Sequence, residues 1–222
     1  MDFDNAPPFD LDEYRRMQLA IPGVDGFYRL LGAVAESAVA PEGEVLIVGA
    51  GGGRELEALG PAGFRFTALD PSAQMLEAAR PYAAGFPERA AFVHGTVDDL
   101  PPEARYDAAT ALLVMHFLPD DGAKAAFLSA IRARLKPGAL YVHADVCFED
   151  AGAFAAMTPA FLAHARLAGL PEDKAAVGPE VIATMPVIGE ARARELFAEA
   201  GFEGATRFYQ GLWYRGWHMR AA

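Results

Sequence analysis

The segment VLIVGAGGGREL, residues 45–56, constrains the fold of this 222-residue chain more than any other. Val45, Leu46, Ile47 and Val48 are apolar without alternation, the pattern of a strand covered on both faces in the middle of a parallel sheet. Gly49, Gly51 and Gly53 then remove side chains where the backbone must turn sharply and where a ligand must approach the main chain. Arg54 to Leu59 is helix-forming, so the turn opens onto a helix N-terminus whose free N–H groups attract electron-rich ligand atoms. A second apolar run, Phe64 to Leu69, ends on one carboxylate, Asp70, within ALDPSAQML. This is the layout of a nucleoside pocket.

The glycine spacing narrows the ligand. A dinucleotide fingerprint, G-x-G-x-x-G from Gly49, needs glycine at position 54, which is Arg54. The spacing present is G-x-G-x-G with an additional Gly52. The DPS triplet at 70–72 is also a helix-cap signal, and both roles fit if Ser72 caps while Asp70 faces the ligand.

Along the chain, strand patterns alternate with helix patterns. Leu11 to Val39 reads as helical with a break at IPGVDG, and residues 1–10 as an acidic, proline-containing lead. Strands are expected at 45–48, 64–69, 91–94, 106–113 and about 139–146, with helices at 72–80 and 122–135. This alternation predicts a doubly wound, mostly parallel α/β sheet. Residues 150–189 carry two helical patches and no strand signal, an insertion placed to cover the carboxyl ends of the strands. A helix at 190–200 ends at Gly201, and GFEGATRFYQG and LWYRGWHMRA form two closing strands. Their short connection requires antiparallel pairing. One domain over 1–222 is expected, with N-terminal helices in 1–40 and a helical lid in 150–189.

Composition sets the class of partner. With 19 Lys and Arg against 30 Asp and Glu the net charge is −11, which argues against a phosphate backbone. The one cysteine, Cys147, has no intrachain partner and fits a reducing cytoplasm. No apolar run approaches a membrane span, and MDFDNAPPFD is unlike a signal peptide. A cytoplasmic location, with a monomer or homodimer, is the expectation.

In order along the chain, GAGGG at 49–53, Asp70, HGTVDDLP at 94–101, YDAATALLVMHFLPD at 106–120, LKPGALYV at 135–142 and AEAGFEG at 198–204 resemble the motifs of class I S-adenosylmethionine-dependent methyltransferases. IPGVDGFYRLL and ADVCFEDAGAF add a looser likeness to the carboxy-S-adenosylmethionine synthase-like subgroup. The resemblance implies a Rossmann-like seven-stranded sheet with an antiparallel C-terminal hairpin, and S-adenosyl-L-methionine as cofactor. It places Gly49, Ala50, Gly51 and Gly53 on the cofactor and Asp70 on its ribose hydroxyls, each charge-assisted bond contributing roughly 1.5–3 kcal/mol. Pro71, Ser72 and Met75 border ribose and adenine, Thr96, Val97 and Asp98 frame the base, and Leu113 and Val114 approach the methionine part. The chain departs from the pattern at Ile47, where the family often has an acid, and at Thr96, where Asp is common. Glu55 is a nearby carboxylate that can compensate for Ile47.

Methyl transfer from a sulfonium needs chiefly alignment and dehydration. A small-molecule acceptor is the leading expectation. An RNA or protein methyltransferase with a partner, supported if Arg192, Arg194, Arg207, Arg215 and Arg220 gather, and a non-catalytic cofactor-binding protein are the alternatives. His116 is the candidate catalytic residue, able to take a proton near pH 7, against the plainer reading of a histidine bonded within its turn. Tyr14 and Arg15 lie on the first helix, either over the cofactor or on a solvated face. Met157, Phe161 and Met185 line an acceptor pocket or pack the insertion, Met75 lines the site or fills core, and Trp213, Tyr214 and Trp217 read as sheet packing. No spacing of His, Asp or Cys predicts a metal site.

Overall fold

A computed structural model describes residues 11–222; the reading of residues 1–10 lies outside it. Two helices, α1 (Leu11–Gln18) and α2 (Val24–Glu36), precede β1 (Glu44–Val48). There follow α3 (Arg54–Leu59), β2 (Arg65–Asp70), α4 (Ala73–Ala79), β3 (Ala90–His94), β4 (Tyr106–Leu112), α5 (Ala123–Ala133) and β5 (Leu135–Val146). The chain closes with α6 (Ala151–Leu167), α7 (Glu172–Ile182), α8 (Glu190–Glu199), β6 (Phe202–Gly211) and β7 (Tyr214–Ala221).

The seven strands form one sheet in the order β3-β2-β1-β4-β5-β7-β6. The first five run parallel, and β7 pairs antiparallel with both β5 and β6. Strand order reverses between β1 and β4, which opens a crevice at their carboxyl ends, the place where open α/β sheets bind ligands.

Alternate residues of each strand fill two cores. Val45 and Ile47 pack with Phe27, Leu31, Leu56 and Leu76 from α2, α3 and α4. Leu46 and Val48 share the opposite face with Leu128 and Ile131 of α5 and Leu196 and Phe197 of α8. A third cluster sits beyond the end of β5, where Phe161, Ala165 and Ile182 of α6 and α7 meet Val146, Trp213 and Tyr214. Both faces of the sheet are therefore covered, which is why β1 reads as an unbroken apolar run.

The differences from sequence expectation are local. Strand β4 ends at Leu112 because Leu113 takes a left-handed φ of 60°, turning the chain out of the sheet. Strand β5 begins at Leu135, four residues before the expected Ala139, since Leu135 pairs with Tyr106 before an irregularity around Pro137–Gly138. Proline and glycine here mark a bulge within a strand rather than its boundary. The connection from β3 to β4 carries a 3-10 turn at 97–99 that the sequence pattern did not signal.

Candidate active site

The glycine loop shows why its spacing matters. Gly49, Gly51 and Gly53 have φ of 73°, 50° and 86°, whereas Gly52 lies outside the left-handed region. A Cβ at Gly49 would come within 2.5 Å of Val114 Cγ2, and one at Gly53 within 2.8 Å of the Ala79 Cα. Backbone conformation and close packing thus demand glycine at alternate positions. Met75 Cε and the Tyr14 hydroxyl converge on Gly51, while the Tyr14 ring lies against Gly52.

Asp70, at the carboxyl end of β2, is tied to this loop. Its Oδ2 accepts from Gly51 N–H at 2.9 Å and its Oδ1 from Ser72 N–H at 2.8 Å. Burial raises the Asp70 carboxyl above its usual pKa, partly offset by these two donors. Each oxygen keeps a further acceptor direction. Ser72 meanwhile caps α4, its hydroxyl accepting from Met75 N–H at 3.4 Å, so cap and carboxylate divide the two tasks. The N–H groups of Gly49 and Ala50 both donate to Leu69 O at 2.9 Å, which fixes the loop to β2 and leaves those donors engaged.

At the next strand the order continues. His94 Nε2 lies 3.0 Å from Pro71 O, and Val97 is buried beside the exposed Asp98. Thr96 is spent locally: its hydroxyl donates to Asp99 Oδ2 at 3.2 Å and its N–H to the same oxygen at 2.8 Å, closing a capping box on the 3-10 turn. A hydroxyl directed at a base edge is therefore not what this conformation offers.

On the other side of β1, His116 lies in a 3-10 turn at 115–117 just past β4. Its Nδ1 is bonded to Asp145 Oδ1 of β5, which corrects the plainer reading of a histidine bonded within its own turn. Both side chains are buried, and Asp145 Oδ1 also accepts from Val146 N–H at 2.9 Å. Burial alone would raise the Asp145 carboxyl; the adjoining His116 outweighs it and holds the group below the usual carboxylate range. An ionised Asp145 keeps the proton on Nδ1 and leaves the Nε2 lone pair available. Nε2 has no hydrogen bond and is absent from the buried unpartnered atoms, so it faces accessible space.

Two residues that sequence reasoning did not single out support this pair. Lys124, fully buried in the first turn of α5, donates from Nζ to Met115 O at 2.8 Å and so pins the turn carrying His116. Its signal was present: Lys124, Leu128 and Ile131 occupy one helical stripe, placing a cation where a core residue belongs. Tyr141 Oη lies 3.0 Å from His143 Nδ1, and burial depresses His143 to about 4, so this ring is neutral beneath Asp145.

Other candidates divide. Phe161 is buried against Trp213, with ring centroids 5.0 Å apart, Met185 packs against the same cluster, and Met157 is exposed. Trp213 packs between α6 and the sheet ends at Val146 and Tyr214; Trp217 is sheet core. The solvated reading of Tyr14 is corrected by its place against the glycine loop. Arg194, Arg207 and Arg215 gather on Glu190, Arg215 also lying 3.6 Å from Glu149, whereas Arg192 pairs separately with Asp120, Glu195 and Glu199 and Arg220 is bonded to Gly138 O. The five do not gather on one surface, and four of them are paired with carboxylates. Among the described residues no group of three metal-ligating side chains occurs, and no helix is long and apolar enough to cross a membrane. A cavity of about 410 Å³ lies at the opposite, amino end of the strands, lined by Val39, Glu42, Asp107, Lys136 and Arg220. Convergent carboxylate, glycine loop and histidine mark the carboxyl end instead.

Comparison with known proteins bears on the domain and the fold. Residues 45–138 match the model of a family described as a methyltransferase domain. No curated protein matches the chain. Among solved structures, magnesium protoporphyrin IX methyltransferase from Synechocystis, with bound S-adenosylhomocysteine, is 17% identical with a TM-score of 0.69, covering 100% of this chain and 97% of that one. N-methyltransferase NodS from Bradyrhizobium japonicum, also holding S-adenosylhomocysteine, is 14% identical with a TM-score of 0.64 over 95% of this chain and 96% of that one. The Burkholderia thailandensis 1,6-didemethyltoxoflavin-N1-methyltransferase is 23% identical with a TM-score of 0.60, covering 98% and 92%. At such identities the structural likeness speaks for the fold. The matched segment contains the glycine loop, Asp70 and His116, and the chain has the fold of these S-adenosylhomocysteine-bound methyltransferases. The match is to a methyltransferase domain and does not resolve the carboxy-S-adenosylmethionine synthase-like subgroup.

Proposed function

We propose that this methyltransferase acts on a small-molecule acceptor, with the cofactor laid across the carboxyl ends of β3, β2 and β1. The observation that carries the reading is Asp70, whose two oxygens hold the glycine loop and the start of α4 while retaining acceptor capacity for a pair of hydroxyls. When bound, S-adenosylmethionine supplies a methyl group on a positively charged sulfur. Val97 and Asp98 border the base, Ser72 and Met75 the ribose side of the loop, and Leu113 and Val114 the methionine side. The small-molecule acceptors in the printed names of the porphyrin and toxoflavin enzymes support the same substrate class here.

In this reading His116 takes the proton that an O–H or N–H acceptor must lose. Asp145 fixes its tautomer and stabilises the imidazolium, and Lys124 holds the turn in place. The helices α6 and α7, with Trp213, cover this end of the sheet and exclude water from it. Incubating the protein with S-adenosylmethionine and a panel of phenols, heteroaromatic N–H compounds and carboxylic acids, and measuring S-adenosylhomocysteine formed, tests it. Turnover on at least one such compound is expected. Turnover confined to RNA or protein substrates would overturn the small-molecule reading.

A further inference from the structure

Glu55 is a buried carboxyl that the account so far leaves unused. It stands in the first turn of α3, directly after the glycine loop, and is only 4% exposed. Its Oε1 accepts from Thr110 Oγ1 of β4 at 3.3 Å, and it makes no ion pair. Its own backbone N–H also donates to the carboxyl, so its partners are neutral donors only. Tyr14 of α1, Tyr28 of α2, Arg54 of α3 and Asp70 of β2 are the titratable or charged groups around it. None neutralises it, because the Arg54 guanidinium is engaged by Asp25 at 2.8 Å and lies over the Tyr28 ring. A buried carboxyl without a cation is costly to ionise, so such a group either remains protonated or awaits a positive partner.

The strand order says where that partner comes from. With the base at β3, the ribose at β2 and the loop at β1, the remaining end of the cofactor continues toward β4, the side on which Glu55 meets Thr110. That end carries two cationic groups, the sulfonium and the α-ammonium. We infer that Glu55 is a cofactor-recognition residue that receives the cationic end of S-adenosylmethionine and releases a proton as it does so. The inference rests on the cofactor placement proposed above. Burial lifts the free carboxyl to about 8, which keeps it protonated at neutral pH until the cation arrives. The positive end of the cofactor then favours the carboxylate, and the proton passes to solvent.

Isothermal titration in buffers of differing ionisation enthalpy counts the protons. At pH 7 the wild-type protein should release about one proton per S-adenosylmethionine bound, and the release should fade above pH 9. E55Q preserves the shape and the Thr110 contact, and should bind with no such release and with affinity independent of pH between 6 and 9. Release with both S-adenosylmethionine and S-adenosylhomocysteine identifies the α-ammonium as the partner; release with the former alone identifies the sulfonium. Difference infrared spectroscopy of the wild type supplies a second readout: the carbonyl band of a protonated carboxyl should disappear on binding, whether or not E55Q folds. Binding without proton release, or release retained in E55Q, overturns the role of Glu55 and leaves the cofactor site standing. No binding to the folded wild type overturns both.

Discussion

His116 and Asp145 lie at the ends of different strands and are bonded side chain to side chain, so their substitutions are expected to be non-additive. Loss of a positioned general base typically costs two to four orders of magnitude in turnover. H116Q should lower kcat about 100-fold, and D145N by a similar factor, since it removes the charge that fixes the ring tautomer. The double variant should be no worse than either single one, a result read by a double-mutant cycle in steady-state kinetics. D145N should also shift the acid limb of the pH–rate profile, which a merely structural role would leave in place. Wild-type kcat in D145N would remove the pair from the mechanism.

At the scale of elements, the loop between β1 and α3 is packed tightly against its neighbours. G53A places a Cβ at φ 86° and against the Ala79 backbone, so unfolding by urea should show a loss of about 1–3 kcal/mol from strain, with packing adding to it. G63A has a similar φ of 82° but open space around it, and the difference between the two isolates the contact with α4. Elements of this kind were legible in sequence because glycine spacing, unbroken apolar runs and cap residues are local signals. Gly49, Gly51 and Gly53 declared the loop, and Ser72 the start of α4. What was not legible depends on registers between distant segments. The His116–Asp145 pair spans 29 positions and exists only because β4 and β5 are neighbours. Thr110 reaches Glu55 across 55 positions, and Tyr14 meets the loop only once α1 has packed. Strand β5 starts earlier than its sequence pattern indicates because Pro137 and Gly138 look like a boundary while the sheet absorbs them as a bulge.

For the whole molecule, two buried groups give stability opposite slopes with pH. Folded Glu55 keeps its proton up to about 8, against an ordinary 4.5, so the native state binds more protons than the unfolded one in that window and stability falls as pH rises through it. His143 is depressed from 6.5 to about 4, so there the unfolded state binds more protons and stability rises with pH. The two offset each other below pH 6.5. Between pH 6.5 and 8 Glu55 acts alone, and Tm by differential scanning calorimetry should decline in the wild type and level out in E55Q. An E55Q slope equal to the wild type would place the linkage elsewhere. All of these effects refer back to one site, a glycine loop tied to Asp70 at the reversal point of the sheet. Calorimetric titration of the folded protein with S-adenosylmethionine tests that site most directly. Saturable binding at one site per chain is expected, weakened by D70A by a factor of ten or more, as roughly 1.5–3 kcal/mol per charge-assisted bond requires. No binding to the wild type, or equal affinity in D70A, would contradict it.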